Sequence, residues 1–205
     1  MNLKGRRLAT EYHKIWTLIR QSARGGPTQG NVLFCDCEAD RPAAQTLLYL
    51  AATPREGDTR SVLLLDADVQ SSRLSSMVGM GNAAGFAEAC NGAELEGLAQ
   101  PIDLPFTYVL PAGISNGDID PQGIPFVLSE LSTGYDFIFM AGGVAQHNVV
   151  PSLRRACSKS FLVVRLGSAN RNTAIDAVNF LESAEVKVNG CIVTNIEQDP
   201  NYFSQ

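Results

Sequence analysis

From Asn31 onward the apolar positions come in short, nearly unbroken runs: NVLFCD (31–36), SVLLLD (61–66), TYVL (107–110), DFIFMA (136–141), FLVVR (161–165) and CIVTN (191–195). Continuous runs of this length mark strands covered on both faces, whereas a half-exposed strand would alternate. Between them lie segments with helical patterning at 42–53, 72–78, 84–90, 122–132, 149–156 and 171–184. Strands alternating with helices predict an α/β architecture, a doubly wound, mostly parallel sheet flanked by helices in three layers. Its ligand site is expected at the carboxyl ends of the strands. Ahead of the first run, Leu8, Tyr12, Ile15 and Ile19 recur at helical spacing and predict a helix over 8–22, ended by Gly25-Gly26-Pro27. The chain thus divides into a basic amphipathic helix (1–24) and a single α/β domain (25–205). Pro111–Pro125, rich in Gly, Asn and Asp, reads as a long loop.

Composition narrows the function classes. At 205 residues, 45% of them hydrophobic and 18% charged, the chain can bury one substantial core. Sixteen basic residues against 21 acidic give a net charge of −5, which argues against a nucleic-acid partner. The charge is uneven: Lys4, Arg6, Arg7, Lys14, Arg20 and Arg24 cluster in the first 24 residues against Glu11 alone. Lysine is scarce, with none between Lys14 and Lys159. No run approaches the ~18 apolar residues of a membrane span, and the first residues lack a signal-peptide pattern, so a cytoplasmic location is expected. Five scattered cysteines form no C-x-x-C pair and read as reduced, packed thiols. With only His13 and His147 in the chain, Cys35-Asp36-Cys37 lacks the company a zinc site needs, and no metal is expected there.

Several motifs occur in an order and spacing that resemble one family. They are VLLLDAD (62–68), Arg73-Leu74, Gly79, Gly85, Pro101, VLPAG (109–113), GYDFIFMAGG (134–143), LVVRLG (162–167) and NGCIVTN (189–195). Together they resemble the cytoplasmic tyrosine kinase domain (BY-kinase) of bacterial capsule and exopolysaccharide systems, a member of the deviant-Walker P-loop group that includes MinD and ParA. The resemblance covers nearly the whole chain. It implies a P-loop NTPase-like fold and, in active relatives, an ATP·Mg²⁺ site. It also implies a partner, the membrane polysaccharide co-polymerase that regulates chain length.

The residues expected to carry the chemistry depart from that pattern. A phosphate-binding loop needs G-x-x-x-x-G-K-[ST], in which glycines admit the phosphates to the backbone, lysine neutralises them and Ser/Thr holds Mg²⁺. Here the corresponding stretch runs Glu38, Ala39, Asp40, Arg41, Pro42, Ala43, Ala44, Gln45, with neither glycine nor lysine. Ala43 and Ala44 stand about where Lys and Ser/Thr belong. Asp36, Glu38 and Asp40 place carboxylates beside the expected phosphates, and like charges at ~4 Å repel by about 4 kcal/mol per pair at an effective dielectric near 20. The family's second Mg²⁺ motif, an Asp closing a strand, is replaced by Ala141-Gly142-Gly143, and Asp136 lies at the opposite end of that strand. The third motif, D-x-D-x-R, survives as Asp66-Ala67-Asp68-Val69-Gln70 without its arginine. Asp66 and Asp68 have two readings: vestigial carboxylates that cap the local backbone, or the remains of a metal and general-base site assisted by Arg41. Asn195 matches the family's adenine-reading Asn, or else satisfies a turn.

These departures predict that ATP and Mg²⁺ binding are lost and that the chain is not an enzyme but a scaffold or regulator of exopolysaccharide synthesis and export. Two alternatives stand beside this: residual ATPase or tyrosine kinase activity through Asp66 and Asp68, and a MinD/ParA-like positioning role. In the first helix Glu11, Lys14 and Thr17 resemble the family's oligomerisation motif E-x-x-R-x-x-R, but Lys14 lacks the bidentate fork and Thr17 lacks the charge. Homo-oligomerisation through Glu11 and Lys14 is therefore an open expectation. The basic helix either packs on the domain with a solvated outer face or touches an anionic membrane or a membrane protein's cytosolic tail, with Trp16 as anchor in either case. Tyr202 is the lone remnant of the family's C-terminal tyrosine cluster.

Overall fold

The computed structural model describes residues 3–22, 30–53, 57–114, 119–168 and 170–194. Helix α1 (Leu3–Ser22) leads into β1 (Asn31–Asp36), α2 (Pro42–Ala52), β2 (Val62–Asp66) and two short helices, α3 (Arg73–Met77) and α4 (Phe86–Cys90). Then follow β3 (Gln100–Pro101), β4 (Thr107–Leu110), α5 (Gly123–Gly134), β5 (Phe137–Val144) and α6 (Val150–Leu153), which runs on as one 3₁₀ turn to Ala156. The described chain closes with β6 (Lys159–Arg165), α7 (Arg171–Ser183) and β7 (Val188–Thr194). The strands form one sheet in the order β3-β4-β2-β5-β1-β6-β7. Every pairing is parallel except that of β3 with β4.

The unbroken apolar runs are explained by this order, because β1, β2 and β5 are central and buried on both faces. On one face Leu33, Leu63, Leu65, Ile138, Met140 and Leu162 pack with α4, α5, α6 and α7. On the other, Val32, Phe34, Leu64, Phe137, Phe139 and Val163 pack with α1, α2 and Leu74 of α3. Helix α1 belongs to this second core: Tyr12, Trp16 and Ile19 are buried, as the helical periodicity requires. The Trp16 ring lies 4.9 Å from that of Phe137 and 5.2 Å from that of Phe139, and Tyr12 stacks on Tyr49 at 5.5 Å. Trp16 is 1% exposed. The expectation that it anchors an external partner or a membrane is corrected, because its apolar ring is already used to fix α1 to the sheet. No described helix is long and apolar enough to cross a membrane.

Several boundaries differ from the sequence reading, β7 among them, which begins at Val188 rather than Cys191. Strand β3 was hidden, since a two-residue pairing containing Pro101 carries no periodicity and arises only from the hairpin back to β4. Helix α1 starts earlier than residue 8, its first turns being polar. Strand β5 extends past Ala141 to Val144, with a register shift against β1 between Phe34 and Asp36. Glycines make that extension feasible: Gly143 has φ +71°, and a Cβ there would lie 2.7 Å from the Asp68 carboxyl carbon. At the opposite end Asp136 accepts hydrogen bonds from Ser61 N–H (2.7 Å) and Oγ (3.0 Å), tying the start of β5 to that of β2, as its place at the beginning of the strand implied.

Because Trp16 joins α1 to the central strands, Trp16→Ala is expected to lower the unfolding free energy by about 3–5 kcal/mol. Urea denaturation followed by circular dichroism measures this, and a loss under about 1 kcal/mol contradicts the placement of α1.

Candidate functional site

Parallel strands deliver their last residues to one edge of the sheet, where the helices that follow present their N-termini. Three carboxylates gather at this edge: Asp36 closing β1, Asp66 closing β2, and Asp68 two residues on. All three are buried, at 2%, 0% and 2% exposure. Each has backbone or side-chain donors from this chain. Ala43 N–H, in the first turn of α2, donates to Asp36 Oδ1 at 2.7 Å. Asp66 Oδ2 receives Ser75 N–H (2.8 Å) and Ser75 Oγ–H (2.7 Å), and Ser75 Oγ in turn accepts Ala112 N–H at 2.9 Å. Asp66 Oδ1 accepts Asp68 N–H at 3.3 Å. Asp68 accepts Ser71 N–H and the Ser71 hydroxyl, and forms an ion pair with Arg41.

Arg41 is held in an uncommon conformation. It precedes α2 with φ 52° and ψ 57°, the left-handed region, which costs a non-glycine residue roughly 1–2 kcal/mol. Pro42 follows at the start of the helix, where proline is at home but disfavours a right-handed residue before it. This turn, with Arg41 N–H on Glu38 O at 3.4 Å, aims the guanidinium back across the strand ends at Asp68. The rest of the loop is tied in the other direction. Arg165 at the end of β6 lies 2.9 Å from Asp40, and Ser168 Oγ donates to Asp40 at 3.1 Å. Glu38 is half-buried and Ala39 exposed. Pro42, Ala43, Ala44 and Gln45 are all buried in the first turn of α2.

Electrostatics follow from burial. Loss of water around Asp66 pushes its carboxyl up to about 6, although the Ser75 donors pull it down and Asp68 adds to the rise. Asp36 is raised well above the ordinary carboxylate range, again by burial first, against the opposing pull of Ala43 N–H. His147, just past β5, is lowered by burial, with Asp68 opposing and Arg41 assisting that shift. Neither of its ring nitrogens has a hydrogen-bond partner among the described residues. Cys37, beside Asp36, is raised to about 11 by burial and by the neighbouring carboxylates, so its thiol stays protonated at neutral pH. Among the described residues no group of three or more His, Cys, Asp and Glu is arranged to hold a metal.

The predicted site residues thus come together in part. Arg41, Asp66 and Asp68 share one edge with Asp36, and the two carboxylates of the Asp66-x-Asp68 motif do cap the local backbone. Asn195 and Tyr202 lie outside the described residues, as do the side chains of Lys4, Arg6 and Arg7. Glu11 and Lys14 lie far out on α1, both exposed, and pair with each other at 2.9 Å along their own helix. Sequence reasoning missed Ser71, Ser75, His147, Arg165 and Ser168. Only Arg165, ending an apolar run at a strand terminus, carried a recognisable signal.

No protein-family model and no curated protein matches the sequence significantly. Solved structures do match. The kinase domain of VpsO superposes with a TM-score of 0.76 at 17% identity, covering 95% of this chain and 98% of that one. The kinase domain of the Escherichia coli tyrosine kinase ETK gives 0.73 at 17% identity, covering 93% and 78%. The septum site-determining protein MinD from Pyrococcus horikoshii, complexed with Mg-ADP, gives 0.64 at 18% identity, covering 83% and 72%. The chain therefore has the three-layer, P-loop NTPase-like α/β fold of these proteins.

A native carboxyl raised above its unfolded value (about 3.9) binds a proton that the unfolded chain has already released. Stability is therefore expected to fall as pH rises from about 4 to about 6 through Asp66, and to fall further above that through Asp36. Asp58, held near 2 mainly by its hydrogen bond from Arg60, acts in the opposite sense and only below this window. Urea unfolding across the pH series should show the decline, and Asp66→Asn should remove a share on the order of 2 kcal/mol. An unchanged slope in that variant contradicts the assignment.

Proposed function

We propose that this protein is a BY-kinase-like pseudoenzyme: a scaffold or regulator of exopolysaccharide synthesis and export whose strand-end site is closed by its own side chains. The observation that carries the reading is the pair of internal contacts at the edge of the sheet. The first-turn N–H of Ala43, a group that in this fold class can face a phosphate, donates to the buried Asp36 carboxylate. Arg41, the one cation in the loop between β1 and α2, is committed to the buried Asp68. The residues do not fit a magnesium nucleotide. The Asp36 carboxyl already takes the first-turn N–H of α2, the loop contains no glycine to let a backbone cradle approach phosphates, and Arg41 would have to leave the buried Asp68 unpaired.

The polysaccharide role rests on the family resemblance together with the shared fold of tyrosine kinase domains. The partner that fits it is the cytosolic part of a membrane polysaccharide co-polymerase. A protein with no differential affinity for nucleotide holds one binding state toward such a partner, because nothing shifts its population. Glu11 and Lys14, exposed on the outer face of α1, are candidate contacts in that assembly, and the basic start of α1 would favour an anionic membrane face nearby.

Calorimetric titration with ATP·Mg²⁺ is expected to give no saturable heat up to millimolar nucleotide. A micromolar Kd overturns the reading and returns Asp66 and Asp68 to a catalytic role. Affinity purification from native membranes is expected to recover a polysaccharide co-polymerase whether or not nucleotide is present.

A further inference from the structure

The two edges of the sheet are unequal. One ends in β3, two residues long and carrying Pro101, which blunts it against further pairing. The other ends in β7, seven residues long, Val188–Thr194. This strand contains no Lys, Arg, Asp, Glu or Pro, so the charge and proline that commonly protect an exposed edge are missing from it. One irregularity, at the shift between Ser160 and Phe161, is confined to Asn189, whose Oδ1 accepts Ser160 N–H at 3.0 Å. From Gly190 to Thr194 the ladder to β6 is regular.

Orientation of the backbone along β7 can be read from its end. Leu166 N–H donates to Thr194 O at 2.7 Å, so the peptide groups of Thr194 face β6. Strand alternation then turns those of Val193 and Cys191 toward the open side. The same two residues carry exposed side chains, Val193 at 62% exposure. Through their register partners Val164 and Leu162 they belong to the face covered by α7, on which Ile175 is also exposed.

We infer that β7 is a homodimerisation edge, pairing antiparallel with β7 of a second copy about a two-fold axis at Cys191. Self-pairing is the arrangement this strand suits. An uncharged segment meets its own copy without placing like charges opposite each other. A two-fold contact at one edge, with the other blunted by β3, closes at two chains and does not propagate into a fibre. The axis sets Cys191 opposite its counterpart as a hydrogen-bonded pair, and Val193 opposite Asn189. In such a pair the Cα atoms lie about 5.5 Å apart and the Cβ atoms stand wider than a disulfide prefers, so backbone hydrogen bonds and not a covalent link hold the two strands.

Sedimentation of the full chain is expected to show a mass twice that of the monomer. Cys191→Ser, close in size and uncharged, should preserve the dimer. Cys191→Lys, exposed in the monomer and therefore compatible with folding, places two cations face to face and should weaken the dimer by about tenfold or more. Circular dichroism checks that this variant retains the fold. A monomeric wild type overturns the inference, and so does pairing of residues 195–205 onto β7 within one chain, which would leave the protein monomeric. A dimer that does not respond to Cys191→Lys overturns it as well.

Discussion

Three carboxylates buried at one edge of a parallel sheet govern the local structure around them. An ionised carboxylate loses several kcal/mol of hydration on burial, so each must be hydrogen-bonded, paired or protonated. Asp36 takes the free N–H at the start of α2, Asp66 takes both donors of Ser75, and Asp68 takes Ser71 and Arg41. Much of the neighbouring backbone follows from meeting these needs. Arg41 adopts a left-handed conformation ahead of Pro42, α3 is placed with Ser75 over Asp66, and β5 passes Asp68 on a glycine because no side chain fits there.

The same contacts connect folding to function. In a doubly wound sheet the strand ends and the first helix's N-terminus form the place where ligands usually bind, because free N–H groups and the helix dipole converge on it. In this chain an internal acceptor, the Asp36 carboxyl, sits on that helix terminus, and the loop cation is spent on Asp68. A site balanced by its own residues gives an external anion little to gain, which makes a constitutive binding role more consistent with the geometry than a nucleotide-driven one. The two cores on either side of the sheet, and α1 sealed onto one of them by Trp16, form a rigid support for such a role.

Much of the architecture was legible in the order of residues. The continuous runs at 31–36 and 62–66 required strands covered on both faces, and their alternation with helices required parallel crossovers. The spacing of Tyr12 and Ile19 marked a buried face on α1. What escaped was whatever depends on contact between distant segments. The β3 pairing is too short for any period, and β5 continues through Gly142 and Gly143, which look like a strand's end until Asp68 is seen to need the space. The site was half legible. Loop composition identified a missing cradle and singled out Arg41, and the resemblance singled out Asp66 and Asp68, but Ser71 and Ser75 are ordinary residues until folding brings them to carboxylates.

Arg41 and Asp68 form a pair inside the protein, which withdraws the cation of the β1–α2 loop from any ligand. A double-mutant cycle in unfolding free energy, using Arg41→Ala, Asp68→Ala and the double variant, measures that directly. A coupling of about 1–3 kcal/mol at neutral pH is expected, while additive effects within about 0.3 kcal/mol would mean that Arg41 is free and would contradict the pairing.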